Sequence, residues 1–130
     1  EKTIILAGSP KDKAHVKKIQ EALYNNQVYS EIYFASAHKQ TRKVLDIMDR
    51  FEKMKNMSVV WVCVAGMSNA LSGVVASQTK YPTISCPPFK DKDDMMVNIN
   101  SSLQCPSNVP PLLILNPLNC ALAISKILNI

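Results

Sequence analysis

The run Val59-Val60-Trp61-Val62-Cys63-Val64 is the most apolar stretch of the chain, and Ala65-Gly66-Met67-Ser68-Asn69-Ala70-Leu71-Ser72-Gly73 follows it directly. A short, continuous, β-branched run reads as a strand buried on both faces, so other elements must cover the sheet on each side. The small polar residues after it open the strand toward the start of a helix. Uncrowded backbone N–H groups at such a junction suit an anion or a carboxylate-bearing ligand. On spacing alone an ordinary strand-to-helix turn is the better reading. The rest of the chain changes that balance.

The same alternation repeats from end to end. Thr3 to Leu6 reads as a strand that ends at Ala7-Gly8-Ser9-Pro10. Ser9 or Asp12 can cap the following helix, whose Val16, Ile19, Ala22 and Leu23 share a face. Val28 to Phe34 reads as a second strand. The polar step Ala35-Ser36-Ala37-His38-Lys39 follows, then a helix with Val44, Ile47, Met48 and Phe51 at helical spacing. Beyond the central strand, a helix runs through Leu71, Val74 and Val75, and Tyr81 to Ser85 forms a short strand closed by Cys86-Pro87-Pro88. Asp91 can cap a helix that carries Met96, Ile99 and Leu103. Leu112 to Leu115 is a fifth strand, and Asn116-Pro117 opens a last helix to Leu128. With no linker or repeat, this pattern predicts one α/β domain over residues 1–130, a five-stranded parallel sheet with helices on both faces.

Composition narrows the function classes. A chain with 47% hydrophobic and 19% charged residues reads as a soluble globular domain. No apolar run is long enough to cross a bilayer, and Glu1-Lys2-Thr3-Ile4 lacks a signal-peptide layout, so a cytoplasmic protein is expected. The net charge of +5 comes from lysines such as Lys11, Lys13, Lys17 and Lys18, scattered over helix faces without interleaved aromatics. That argues against nucleic acid and leaves room for a small phosphorylated substrate. Cys63, Cys86, Cys105 and Cys120 form no C-x-x-C pair and read as buried free thiols. His15 and His38 lack spaced metal-ligand partners, and neither a Walker loop nor a G-x-G-x-x-G fingerprint occurs, so no metal and no cofactor are expected.

In a parallel sheet, ligands bind outside the carboxyl ends of the strands. Gly8-Ser9, Ser36 to Lys39 and Ala65 to Gly73 each follow an expected strand, so all three gather at one edge. His38 is the natural proton carrier there, since imidazole changes charge near neutral pH. Lys39 can pair with a carboxylate. Ser9, Ser36, Ser68 and nearby N–H groups can hold a phosphate.

Four blocks then resemble one family: Ser36-Ala37-His38-Lys39, Ala65 to Gly73, Ile84-Ser85-Cys86-Pro87-Pro88 and Ser101-Ser102-Leu103. In order and spacing they are similar to the phosphoribosylaminoimidazole carboxylases, in the class II form that also occurs within the bifunctional animal purine enzyme. The resemblance implies a flavodoxin-like three-layer sandwich and a homo-oligomer, usually an octamer. It also implies carboxylation of 5-aminoimidazole ribonucleotide at C4 by CO2, without ATP, biotin or metal. By that resemblance His38 moves the C4 proton, and Lys39 and Ser68 bind the carboxylate side. Gly8, Ser9 and Asp12 hold the ribose and its phosphate, and Ser36, Gly66, Asn69 and Ser72 complete the substrate-binding set.

Four positions depart from the family pattern: Lys11 where a serine is usual, Met67 and Gln104 where arginines are usual, and Asn108, after Pro106-Ser107, where a glycine is usual. The chain also stops soon after Leu128, where family members usually continue into a further helix. These departures motivate an alternative, a catalytically silent homologue kept for assembly or regulation. A flavin-binding protein fits the sheet as well but leaves the His-Lys and Ser-Asn blocks without a role.

Overall fold

The computed structural model describes residues 2–130. Five strands form one parallel sheet: β1 (Lys2–Ala7), β2 (Ser30–Phe34), β3 (Val59–Val64), β4 (Thr83–Ser85) and β5 (Leu112–Leu113), in the order β2-β1-β3-β4-β5. Between and after them run α1 (Lys13–Asn25), α2 (Thr41–Glu52), α3 (Ala70–Gln78), α4 (Lys92–Leu103) and α5 (Pro117–Ile127). This is the expected flavodoxin-like α/β sandwich.

The period-2 alternation of the strands builds the two apolar layers. From β1 and β3, Ile5, Ala7, Val60, Val62 and Val64 face α1 and α5. Ile4, Leu6, Val59, Trp61 and Cys63 point the other way, onto α2 and α3. The expected stripes of α1 and α2 are buried residue for residue. Trp61 is fully buried, edge-on to Phe51 at 5.7 Å, with its Nε1–H donating to Thr79 Oγ1 at 2.9 Å. Burying indole area while satisfying its one donor is what makes a tryptophan tolerable in a core.

Three strands are shorter than expected, for local reasons. Val28 is tied back to the end of α1, its N–H bonded to Leu23 O, and the chain turns through Gln27 at φ 62° before β2 begins. Pro82 accepts from Trp61 N–H but has no N–H of its own to extend β4. At the sheet edge, β5 covers only Leu112–Leu113, although Ile114 N–H still reaches Ser85 O.

The largest departure is α4. Met96 and Leu103, expected on its apolar face, are 54% and 63% exposed, while Asn98 and Ser102 are buried. The reason lies in β4. Its alternation sends Ile84 into the apolar layer under α1 and α5, leaving the hydroxyl of Ser85 on the face that α3 and α4 cover. Leaving a buried hydroxyl unpaired costs free energy, so covering elements that supply polar side chains are favoured. Asn69 Nδ2 donates to Ser85 Oγ at 3.0 Å and to Ser102 Oγ at 3.2 Å, and the two hydroxyls lie 2.9 Å apart.

Candidate active site

The strand order reverses direction at β1 and β3, which leaves a crevice beyond their carboxyl ends. The loops after β1, β2 and β3 line a cleft of about 520 Å³ there. Gly8, Ser9, Lys11 and Asp12 come from the first loop, Ser36, His38 and Lys39 from the second, and Gly66, Met67 and Ser68 from the third. The structure therefore brings together eight of the ten residues singled out in the sequence.

Each loop is held by its own hydrogen bonds. Gly8 N–H donates to Val64 O at 2.9 Å, tying the first loop to the end of β3. Ser9 caps the short turn Pro10–Asp12 by accepting from Lys11 N–H at 3.3 Å. Asp12 stands at the N-cap of α1 but makes no side-chain cap bond there, so its carboxylate remains open to a ligand. Burial pushes the Asp12 carboxyl above the usual range, against the opposing pull of Lys11 and His15. In the second loop, Ser36 Oγ accepts from Lys39 N–H at 3.1 Å and Ser36 O accepts from Gln40 N–H at 2.8 Å. This tight turn projects His38 and Lys39 as exposed side chains. Neither ring nitrogen of His38 has a partner among the described residues.

The third loop corrects two expectations. Asn69 is buried below the cleft rather than lining it. Its Oδ1 accepts from Ser72 N–H at 3.1 Å as the cap of α3, and its amide nitrogen serves Ser85 and Ser102. Ser72 is fully buried, one turn into α3, and its hydroxyl has no partner among the described residues. Neither side chain reaches the cleft. The left-handed backbone of this loop sits not at Gly66 but at Met67, with φ 58° and a side chain 68% exposed. Of these departures from the family pattern, Lys11 and Met67 line the cleft, while Gln104 stands at the far end of α4.

Sequence reasoning missed the α4 contribution. Asn98 Oδ1 accepts from Met67 N–H, and Ser101 Oγ accepts from Asn69 N–H. The available signal was the i, i+4 pair of Asn98 and Ser102, overshadowed by the apolar residues around it. Cys63, Cys86 and Cys120 are buried free thiols as expected, whereas Cys105 is half-buried. Burial drives the Cys63 thiol far above its ordinary range, and at Cys86 the hydrogen bond with the Cys120 sulfur does so together with burial. Among the described residues no cluster of histidine, cysteine and carboxylate side chains is arranged to hold a metal, and no helix is long and apolar enough to cross a membrane.

A family profile described as AIR carboxylase matches residues 2–130. The chain belongs to the AIR carboxylase family. Among its relatives, the phosphoribosylaminoimidazole carboxylase of Archaeoglobus fulgidus is 44% identical over 126 residues, covering 97% of this chain and 68% of that protein. The bifunctional phosphoribosylaminoimidazole carboxylase/phosphoribosylaminoimidazole succinocarboxamide synthetase of Drosophila melanogaster is 37% identical over 98% of this chain, which spans only 29% of that protein. The crystal structure of Treponema denticola PurE superposes with a TM-score of 0.91 at 36% identity, covering 98% of this chain and 80% of that one. The AIR carboxylase sandwich thus keeps its shape at 36% identity. The cleft at the β1/β3 crevice is where this family member carries its exposed histidine and lysine.

Proposed function

We propose that this protein carboxylates 5-aminoimidazole ribonucleotide at C4 with CO2, without ATP, giving 4-carboxy-5-aminoimidazole ribonucleotide for purine biosynthesis. The observation that carries this reading is the meeting of unpartnered His38, exposed Lys39 and Ser68 with the Gly8–Asp12 loop in one cleft.

The chemistry asks little beyond placement. The 5-amino group makes C4 electron-rich, so C4 attacks the carbon of CO2, one C–O π bond opens, and a C4–carboxylate bond forms. C4 then bears both hydrogen and carboxylate, and the ring is cationic. His38 removes the C4 proton, the C–H electron pair restores the aromatic ring, and the side chain holds the proton as imidazolium. Run backwards, the imidazolium protonates C4 and CO2 departs. Lys39 and Ser68 stabilise the negative charge that grows on the CO2 oxygens, assisted by the N–H groups of Gly66 and Ser68, which have no protein partner among the described residues. Asp12, free of capping duty, accepts from ribose hydroxyls. Ser9 and Lys11 face the phosphate, Lys11 as a point charge.

The same reading carries a homo-oligomer, for which Leu118 and Leu122, one turn apart on α5, supply exposed apolar side chains on one face. The test is ATP-free decarboxylation of the carboxylated ribonucleotide, followed by its absorbance, for the wild type and His38→Asn. Turnover by the wild type that falls at least about a hundredfold in the variant is the expected result for loss of an acid–base group. A folded wild type without turnover would instead favour the silent assembly domain. Equal turnover by both proteins would remove His38 from the mechanism.

A further inference from the structure

Asn98 lies on α4, outside the three loops that line the cleft, yet it is 1% exposed with both ends of its amide committed. Its Oδ1 accepts from Met67 N–H at 2.6 Å, and its Nδ2 donates to Pro88 O at 2.5 Å. One partner is a donor and the other an acceptor, so the amide orientation is fixed by chemistry. One turn further along the helix, Ser101 Oγ accepts from Asn69 N–H at 2.5 Å. The backbone donors on either side of Ser68 are therefore both taken by α4. The N–H of Ser68 itself has no partner among the described residues, and its carbonyl accepts from Ala70 N–H at 3.1 Å. Between the two clamps the chain passes through the left-handed conformation of Met67, a region that L side chains enter only when something holds them there.

We propose that Asn98 is a positioning residue: through Met67 N–H it holds the left-handed turn that presents Ser68 to the CO2 side of the cleft. The proposal rests on the carboxylase reading for what Ser68 does, but not for how the loop is held. It explains why a polar side chain occupies the inward face of α4 while Met96 and Val97 turn outward. A leucine at this place would fill the space and leave Met67 N–H and Pro88 O without partners. The apolar alternative keeps the helix packed and releases the loop.

Two readouts on Asn98→Ala and Asn98→Asp test this, with the exposed Asn100→Ala as the control on the same helix. A protonated aspartate keeps an acceptor for Met67 N–H and an O–H for Pro88 O; the alanine has neither. Amide hydrogen exchange at Met67 should quicken about tenfold or more in Asn98→Ala, the equivalent of one buried hydrogen bond, and return most of the way in Asn98→Asp. KM for the carboxylated ribonucleotide should rise about fivefold or more in the alanine variant and recover with the aspartate. A partly unfolded sample would lower the apparent kcat and leave KM unmoved. Unchanged Met67 exchange and KM in Asn98→Ala, or an aspartate as defective as the alanine in both, overturns the proposal. If the wild type does not decarboxylate, the reaction is wrong and the exchange series alone decides Asn98, by the same criterion. If Asn98→Ala does not fold, Ser101→Ala takes its place; unchanged exchange at Asn69 with unchanged KM then overturns the clamp.

Discussion

Helices α2 and α4 are each twelve residues long, and they meet the chain by opposite rules. On α2 the buried side is Val44, Ile47, Met48 and Phe51, an apolar stripe that closes over Trp61 and its neighbours. On α4 the buried side chains are Asn98 and Ser102, while Met96, Val97 and Leu103 are exposed. The difference follows from what each helix covers. Beneath the stripe of α2, the strands offer mainly apolar side chains, with Lys2, Glu31 and Tyr33 at the rim, so area removed from water decides the face. Beneath α4 lie the Ser85 hydroxyl, the Asn69 amide and the backbone N–H groups of the cleft loop, all of which lose water on folding. Unpaired, each would cost about 1–3 kcal/mol, comparable to what a buried leucine contributes, so polar residues win that face. One helix holds the fold together. The other holds a loop still.

That contrast predicts a separation of effects. Phe51→Ala removes a ring packed edge-on against both Tyr33 and Trp61 and should cost about 3–5 kcal/mol in denaturant unfolding. The folded fraction should keep its KM for the carboxylated ribonucleotide, because no cleft loop rests on Phe51. A large shift in KM would break the division of labour between the helices. Asn69→Ala should cost less, about 2–3 kcal/mol for the lost cap of α3 and two buried hydrogen bonds. Unlike Phe51→Ala, it should raise KM, because Asn69 follows Ser68 directly. If Asn69→Ala changes stability alone, the polar layer is a core that happens to be wet.

The sequence makes the apolar half of the molecule legible and the polar half only in part. β3 has its expected bounds, and the stripes of α1 and α2 are buried as read, because one face at one period leaves a single solution. His38, Lys39, Gly66 and Ser68 meet Gly8, Ser9, Asp12 and Ser36 in one cleft because the carboxyl ends of parallel strands share an edge. The spacing of α4 is equally helical for Met96, Ile99 and Leu103 and for Asn98 and Ser102, and hydrophobicity selects the wrong set. Only the pairing of β4 reveals which set is required, and with three residues that strand is too short to announce its faces. Asn69 was misplaced for the same reason: a polar residue beside a cleft serves either the ligand or the layer beneath, and composition is identical in both cases.

Ser72 offers the finest test of where cleft ends and layer begins. Its N–H is capped by Asn69, but its hydroxyl is buried with no partner among the described residues. Within a helix, such a hydroxyl adds desolvation cost and does not help bind anything in the cleft. Ser72→Ala keeps the N–H and the helix while deleting the unpaired oxygen. It should therefore raise stability by about 0.5–1 kcal/mol in denaturant unfolding and leave KM where it was. A substrate-binding serine predicts the reverse, a weaker KM with stability unchanged. Because the two roles move different observables, one variant locates the boundary: higher stability with an unchanged KM puts Ser72 in the polar layer, and a weaker KM with unchanged stability puts it in the cleft.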